Sequence, residues 1–568
     1  MHTSFFFHPT SPSRRFTGFL KGSLVLFAAF GLETIWALPA VAAPPGNGAK
    51  ELSIFYTGGI QGTLEPCGCN SDPLGGIDRY ATEVRAAQRK TAVLVLDGGN
   101  TLFAATGLAP QKLAAAKLKA RFVAERLTAL GLAGAGVGAG DLAGGLSELR
   151  PARLAANTSG PQFRAGEVQR IGGISVGLMG VIDTETASGA GLTASEPVAA
   201  AEREAKRLRA LGAEIVIAVA AVDRPTARKI ARKAEVDFIV LGLPSESGMT
   251  AADHVGNTFI VSAAAELQKA GRLDLVLRTQ ANGKLGPIID AGSQEALAAH
   301  RLDLTRSLAT LGQQLDQWKK QSGADVAFVA GKQREYDAMV SEHKLLPAQW
   351  APPATGSYFT NRLIPIRRAI PQDKQVTQSM RSLDKAIGKL NLAAAVAPPK
   401  AEAGRLHYVG DQSCGKCHKQ EMKFWKTTVH AQAWRTLVDG GKQADLECVG
   451  CHVTGYGHVG GTSLGFTQKL ESVQCEVCHG PGSQHVAEEG LDEPATVHTE
   501  TPETVCVQCH NEKHSDTFNY PAYLRDVLGL GHGATARQKL GDGPTGGQLR
   551  KAAMAKALAA GKAQRKGL

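Results

Sequence analysis

Cys414-Gly415-Lys416-Cys417-His418, Cys448-Val449-Gly450-Cys451-His452, Cys475-Glu476-Val477-Cys478-His479 and Cys506-Val507-Gln508-Cys509-His510 are four copies of one pentad, Cys-x-x-Cys-His, in a single stretch near the C-terminus. Two thiols separated by two residues reach the two vinyl groups of one porphyrin, and the next residue then lies over the iron. Each pentad therefore reads as a c-type haem attachment site. Eight of the ten cysteines are used in this way, and every pair carries its histidine. A structural zinc reading leaves that adjacent histidine unexplained four times over. A disulfide framework does not repeat adjacent pairs with a following histidine. The stretch thus predicts four covalently attached haem c groups on Cys414, Cys417, Cys448, Cys451, Cys475, Cys478, Cys506 and Cys509. His418, His452, His479 and His510 are the expected proximal iron ligands.

Segments this short cannot bury a large side-chain core, so the porphyrins are expected to form most of it. The expected module runs over residues 405–533, mainly helical or irregular. Its remaining histidines, His407, His430, His458, His485, His498, His514 and His532, are the pool from which second iron ligands are drawn. A ligand at His458, six residues from His452, needs an awkward loop.

The start of the chain points to export. Arg14, Arg15 and Lys21 precede an apolar run from Leu24 to Ala43 that ends in small residues, the pattern of a secretory signal over residues 1–43. Glu33 within the run argues against an uncleaved anchor. The expected location is periplasmic.

The 568 residues predict two or three domains. The formal net charge of +11 omits the negative haem propionates and suits docking to acidic redox partners, periplasmic or membrane-bound, better than nucleic acid, for which no motif is visible. Short β-rich runs at 52–56, 92–96, 174–180, 215–222, 238–241, 259–262 and 273–277 alternate with helical stretches at 77–90, 110–130 and 202–211. That alternation predicts a layered α/β domain over residues 50–290. Residues 293–404 read as a helical connector: Leu302, Leu304, Leu308, Leu311 and Leu315 recur at helical spacing, and Pro398-Pro399 stiffens the end. Residues 534–568 read as a basic tail, mobile or weakly helical, that offers a peripheral contact to anionic lipid.

Two resemblances refine this reading. Thr57-Gly58-Gly59-Ile60-Gln61-Gly62, Gly75-Gly76-Ile77-Asp78-Arg79 and Leu96-Asp97-Gly98-Gly99-Asn100 resemble the 5′-nucleotidase branch of the calcineurin-like metallophosphatases. That resemblance implies a metallophosphatase-like fold, and in those enzymes two metal ions activate a water and clamp a phosphate ester. The ligand positions it implies are occupied here by Gly59, Gln61, Asn100, Ala139, Gly140, Asp141, Ala221, Leu243 and Ser245. Asn100 and Asp141, with Asp97, are too few to converge on two metals. A degenerate scaffold is expected, with phosphoesterase activity the least favoured reading. Cys67 and Cys69 lie in the loop after the first strand and are candidate redox thiols or a structural pair.

Between the pentads, Trp425 to Trp434, the Val473 to His485 stretch and Phe518-Asn519-Tyr520 resemble the tetrahaem cytochrome c family that takes electrons from hydroxylamine oxidoreductase. The resemblance implies distal ligands at His430, His485 and His532: His430 on the haem of His479, His485 on that of His418, and His532 on that of His510. It implies an open iron on His452. The leading function is electron transfer between redox partners. The alternative is a small redox enzyme that acts on nitrogen oxides or hydroxylamine at the His452 haem.

Overall fold

Leu52, Ile54 and Tyr56 alternate with Ser53, Phe55 and Thr57, the period of a strand with two different faces to fill. Both faces are buried, and the first strand sits deep in a four-layer stack. The computed structural model describes residues 48–66, 69–104, 108–320, 326–348, 351, 353–402, 404–491, 496–529 and 531–566. The expected signal segment and Cys67 lie outside the described residues.

The strands are β1 (Lys50–Thr57), β2 (Ala92–Asp97), β3 (Leu132–Ala135), β4 (Arg153–Leu154), β5 (Phe163–Arg164), β6 (Gly166–Ile171) and β7 (Ile174–Val181). They continue with β8 (Ile215–Ala220), β9 (Phe238–Leu241), β10 (Asp253–Val255), β11 (Thr258–Ser262), β12 (Lys269–Leu277), β13 (Ile288–Asp290) and β14 (Ser357–Pro365). The helices of this part are α1 (Ile77–Gln88), α2 (Pro110–Ala129), α3 (Ala139–Leu142), α4 (Thr184–Gly189), α5 (Pro197–Ala210) and α6 (Arg224–Lys233). α7 (Gly292–Lys320), α8 (Val326–Leu345) and α9 (Lys374–Ala393) follow. One sheet has the order β13-β14-β12-β1-β2-β3 and a second the order β10-β11-β9-β8-β7-β6.

Leu52, Ile54 and Tyr56 of the first sheet meet Val176, Ile217 and Val240 of the second in the central core. On its other face the first sheet packs Phe55 and Val95 against Tyr80 of α1, Val123 of α2 and Met380 of α9. The second sheet is covered by Ala205 and Leu208 of α5 and Ile230 of α6. The layers are therefore helix, sheet, sheet, helix, as the alternating pattern predicts.

Residues beyond 290 do more than connect. α7 and α8 form a helical hairpin, but β14 then enters the first sheet between β12 and β13. Phe359 is fully buried there against Phe238 and Phe259, with ring centres 5.1 and 4.6 Å away. The expectation that the α/β domain ends at 290 and gives way to a helical connector is corrected: β14 and α9 belong to it. The reason is hydrophobic, because β12 without β14 would leave an unpaired strand edge beside an exposed core face.

The basic C-terminal segment forms a helix, Gly546–Lys566, rather than a mobile tail. Its alanines and lysines are good helix formers. It packs on the helix Tyr520–Val527, and Gln564 donates to the Pro365 carbonyl at 3.0 Å. No described helix is long and apolar enough to cross a membrane.

Candidate haem centre

The segment 405–533 has few buried apolar side chains: its described cluster is Ala444, Val449, Val453 and Leu464. In place of a side-chain core it surrounds a cavity of about 2770 Å³, several times an ordinary small-molecule site of about 300–1,000 Å³. All eight pentad cysteines and all four pentad histidines line it, together with His430, His485, His498, His514 and His532. His407 and His458 do not. His458 lies against Tyr408 instead.

The pentads are neighbours in a definite order. The Cys414 thiol hydrogen-bonds with that of Cys475, linking the first pentad to the third. Burial pushes the Cys478 thiol up to about 11, and Cys506 of the fourth pentad lies beside it. Cys509 of the fourth hydrogen-bonds with Cys451 of the second.

Each pentad imidazole has its Nδ1 engaged, except for a loose contact at His418. His452 Nδ1 is 2.6 Å from the Ala433 carbonyl oxygen, His479 Nδ1 is 2.5 Å from that of His498, and His510 Nδ1 is 3.2 Å from Ser515 Oγ. His418 Nδ1 lies 3.7 Å from Glu421. Such partners fix the ring and leave Nε2 to a metal.

Two distal candidates stand opposite proximal rings. His418 and His485 have ring centres 6.2 Å apart, and His430 and His510 have theirs 6.1 Å apart. Imidazole nitrogen binds a metal at about 2 Å, so two rings that share one iron need centres roughly 6 Å apart. His532 lies beside His479, whose charge adds to burial in lowering its pKa. Its Nδ1 is buried with no hydrogen-bond partner. Burial pushes His430 down to about 4, with His510 adding to the effect, so the ring is neutral, the form that ligates iron. The residues present fit haem.

His485 thus stands by His418, the haem the resemblance gave it, whereas His430 stands by His510 and His532 is near His479, where the resemblance implied the opposite assignment of these two. The backbone explains the exchange, since Val473 N donates to the His430 carbonyl and Trp425 Nε1 to the Val473 carbonyl. These bonds seat the His430 turn just before the third pentad while the imidazole crosses to the fourth. Among the described residues, no second histidine ring lies against His452 as they do against His418 and His510.

In the α/β domain the positions that matched metal ligands are turned inward. The Asp141 carboxylate is buried and accepts from the backbone N–H groups of Asn100, Thr101, Leu102 and Gly138 at 2.6 to 3.2 Å. It also faces Arg153 at 3.4 Å. Asp97 accepts from Thr57, Thr101 and the Gly99 N–H. Asn100 accepts from the Gly140 N–H and donates to the Gly242 carbonyl. Gly98 and Gly242 approach so closely that a Cβ on Gly242 would meet Gly98 O at 2.1 Å. Gly59 and Gln61 hold the adjoining loop through left-handed backbone, with φ of 66 and 56°. Among the described residues no group of three or more His, Cys, Asp or Glu is placed to hold a metal ion.

Residues 413–480 match the family of cytochrome c554 and c-prime. The chain is also similar to cytochrome c-554 of Nitrosomonas europaea, 36% identical over 91 residues, which is 13% of this chain and 39% of that cytochrome. The chain thus spans about two fifths of that relative's length. The matched residues 413–480 contain the first three pentads. Among solved structures, the chain is similar to a 5′-nucleotidase precursor from Thermus thermophilus, with a TM-score of 0.40 and 15% identity. That similarity covers 69% of this chain and 68% of the other. It is also similar to the NAD nucleotidase of Haemophilus influenzae, with a TM-score of 0.33, 16% identity, and coverage of 52% and 61%.

Some positioning groups of the cytochrome-like module escaped sequence reasoning. Glu476, inside the third pentad, is 3% exposed and accepts from the N–H groups of Val409, Gly410 and Gly482. Gln474 accepts from the Asp411 N–H and donates to the Lys469 and Glu471 carbonyls. Together they tie the approach to the first pentad onto the third. A charged residue between two ligating cysteines reads as solvent-facing in a sequence, so nothing local gives this role away. Cys69 is half-buried and lines the same cavity.

Proposed function

We propose that the chain is a tetrahaem c-type cytochrome that carries electrons between redox partners outside the cytoplasmic membrane, with an α/β domain that no longer hydrolyses phosphate esters. The observation that carries this reading is one cavity lined by all four pentads together with His430, His485 and His532. When bound, haem supplies a one-electron iron couple. The chain's own part is positional. The eight thiols fix the four groups, and the Nδ1 partners of His452, His479 and His510 orient the ligating nitrogens. The neighbouring cysteines of different pentads support an order of first, third, fourth, second along the relay. Water is excluded by apolar and aromatic residues such as Phe424, Trp425 and Phe518.

Export supports the reading, because covalent attachment of haem c follows secretion in bacteria and residues 1–43 have the composition of a leader. The inward-turned Asp97, Asn100 and Asp141 support loss of hydrolysis. The pyridine haemochrome assay of the purified protein should give four haems per chain, and Cys475→Ala with Cys478→Ala should give three. An unchanged count in that variant would overturn the assignment.

A second reading rests on one specific observation, the lack of a facing imidazole at His452 among the described residues. An open position there suits binding and reduction of a small nitrogen oxide or hydroxylamine. An electron paramagnetic resonance spectrum with only low-spin signals would remove it.

A further inference from the structure

The α/β domain grips the segment that leads into the second pentad, as it also holds Lys513 and Asp516 after the fourth through Glu266 and Ser71. Lys442 Nζ lies 2.5 Å from Glu65 and 2.7 Å from Asp384. Asn391 Nδ2 of α9 donates to the Ala444 carbonyl at 2.9 Å. Lys119 Nζ of α2 lies 3.0 Å from Glu447, the residue just before Cys448. Ala444 and Val449 pack in one cluster with Ala395. These contacts fall within ten residues of His452.

α2 then contributes a wall. Lys112, Ala115, Ala116 and Lys119 line the same cavity as Cys448, Cys451 and His452. Their spacing of three, one and three puts all four on one helix face. Two methyl side chains in the middle let a flat group or a small molecule approach the helix closely. Lys119 is held by Glu447, and Lys112 at the other end places an ammonium group where a carboxylate or a small oxyanion would be held. Elsewhere the helix packs Phe122, Val123 and Leu127 into one cluster and Ala120 and Ala124, with Ala116 beside them, into a second.

We propose that the Lys112–Ala115–Ala116–Lys119 face of α2 is the distal wall of the second haem site, so that the α/β domain limits which ligands reach the iron on His452 and sets its electrostatic environment. This rests on the haem reading above and assigns the α/β domain a present role. Alanines exclude bulky ligands and leave room for diatomic ones. Lys112 favours the reduced, more negative state of the site, because a nearby cation stabilises added negative charge.

The test uses the full-length, haem-loaded protein with carbon monoxide as the probe. Ala115→Leu with Ala116→Leu should slow carbon monoxide association after flash photolysis several-fold and leave the haem count unchanged. Lys112→Gln, which leaves the packing alone, should lower the midpoint potential of the carbon-monoxide-reactive haem in a spectroelectrochemical titration. The potentials of the low-spin haems should stay put. Unchanged association in the first variant together with an unchanged potential in the second would overturn the wall. If the double variant fails to retain haem, the potential of Lys112→Gln alone decides. A native protein with no haem would sink both readings, and one with four haems but no reaction with carbon monoxide would sink the wall and leave the electron carrier standing.

Discussion

The His430 ring centre is 6.1 Å from that of His510, and the assignment we propose from it, His430 to the His510 haem and His532 to the His479 haem, has a spectroscopic signature. We predict that in a Cys475→Ala, Cys478→Ala background, His430→Ala still converts one low-spin haem to high spin, because its partner His510 is intact. His532→Ala in that background should add no new high-spin signal. The reverse pattern would restore the pairing that sequence resemblance suggested. The pentads were legible because their chemistry is written in five consecutive residues. The ligand pairing was not, since it depends on how the backbone turns between Trp425 and Val473. Asp141 shows the same limit in the other domain. Its carboxylate sits where a metal ligand was sought, yet it closes four backbone N–H groups and faces Arg153. Asp141→Ala leaves that arginine buried and unpaired, which costs about 3–5 kcal/mol. A fall in thermal midpoint of several degrees would register it, and a neutral result would refute the structural role.

At the scale of elements, most strands and helices of the α/β domain lie where alternating and helical periods place them. β14 is the instructive miss. Its residues 357–365 do not alternate, since Tyr358-Phe359 and Leu363-Ile364 are adjacent apolar pairs, Gly356 and Pro365 read as loop punctuation, and its partner β12 ends eighty residues earlier. Phe359→Ala should cost about 3–5 kcal/mol as a large-to-small core change. Chemical denaturation would show it, whereas a substitution in a mere connector would be nearly silent. α2 is anchored in another way. Glu148, 4% exposed at its side chain, receives two hydrogen bonds from Arg121 at 2.9 Å. The Arg121 guanidinium holds its carboxyl below the ordinary range. A depressed carboxyl contributes stability above its unfolded pKa, about 4.3, and loses it as pH falls through the lower folded value. The stability gap between the native protein and Glu148→Gln should therefore be constant near neutrality and shrink below about pH 4, as followed by thermal melts across that range.

At the scale of the whole molecule, Lys442 links Glu65, Asp384 and the second pentad. Lys442→Glu would set three carboxylates together and should open this junction. Limited proteolysis within residues 394–404 would then accelerate over the native protein, and equal rates would show that the junction does not depend on Lys442. Strand–helix alternation in the first half and the pentads in the last quarter separate an α/β part from a haem-motif part. Their mutual grip was not legible, because Glu65, Lys119, Asp384 and Lys442 look like ordinary surface charges until the fold brings them together.

The helix Gly546–Lys566 has a consequence for how such a molecule is made. Through Gln564 on Pro365 and Arg550 on the Cys69 carbonyl, the far end of the chain returns to the domain from which the cytochrome segment departs. The segment is therefore a loop tied at both ends around a space that side chains alone do not fill. A porphyrin enters such a loop more readily before the knot is drawn than after. On the haem reading proposed above, attachment would come first and clasping by the final helix last.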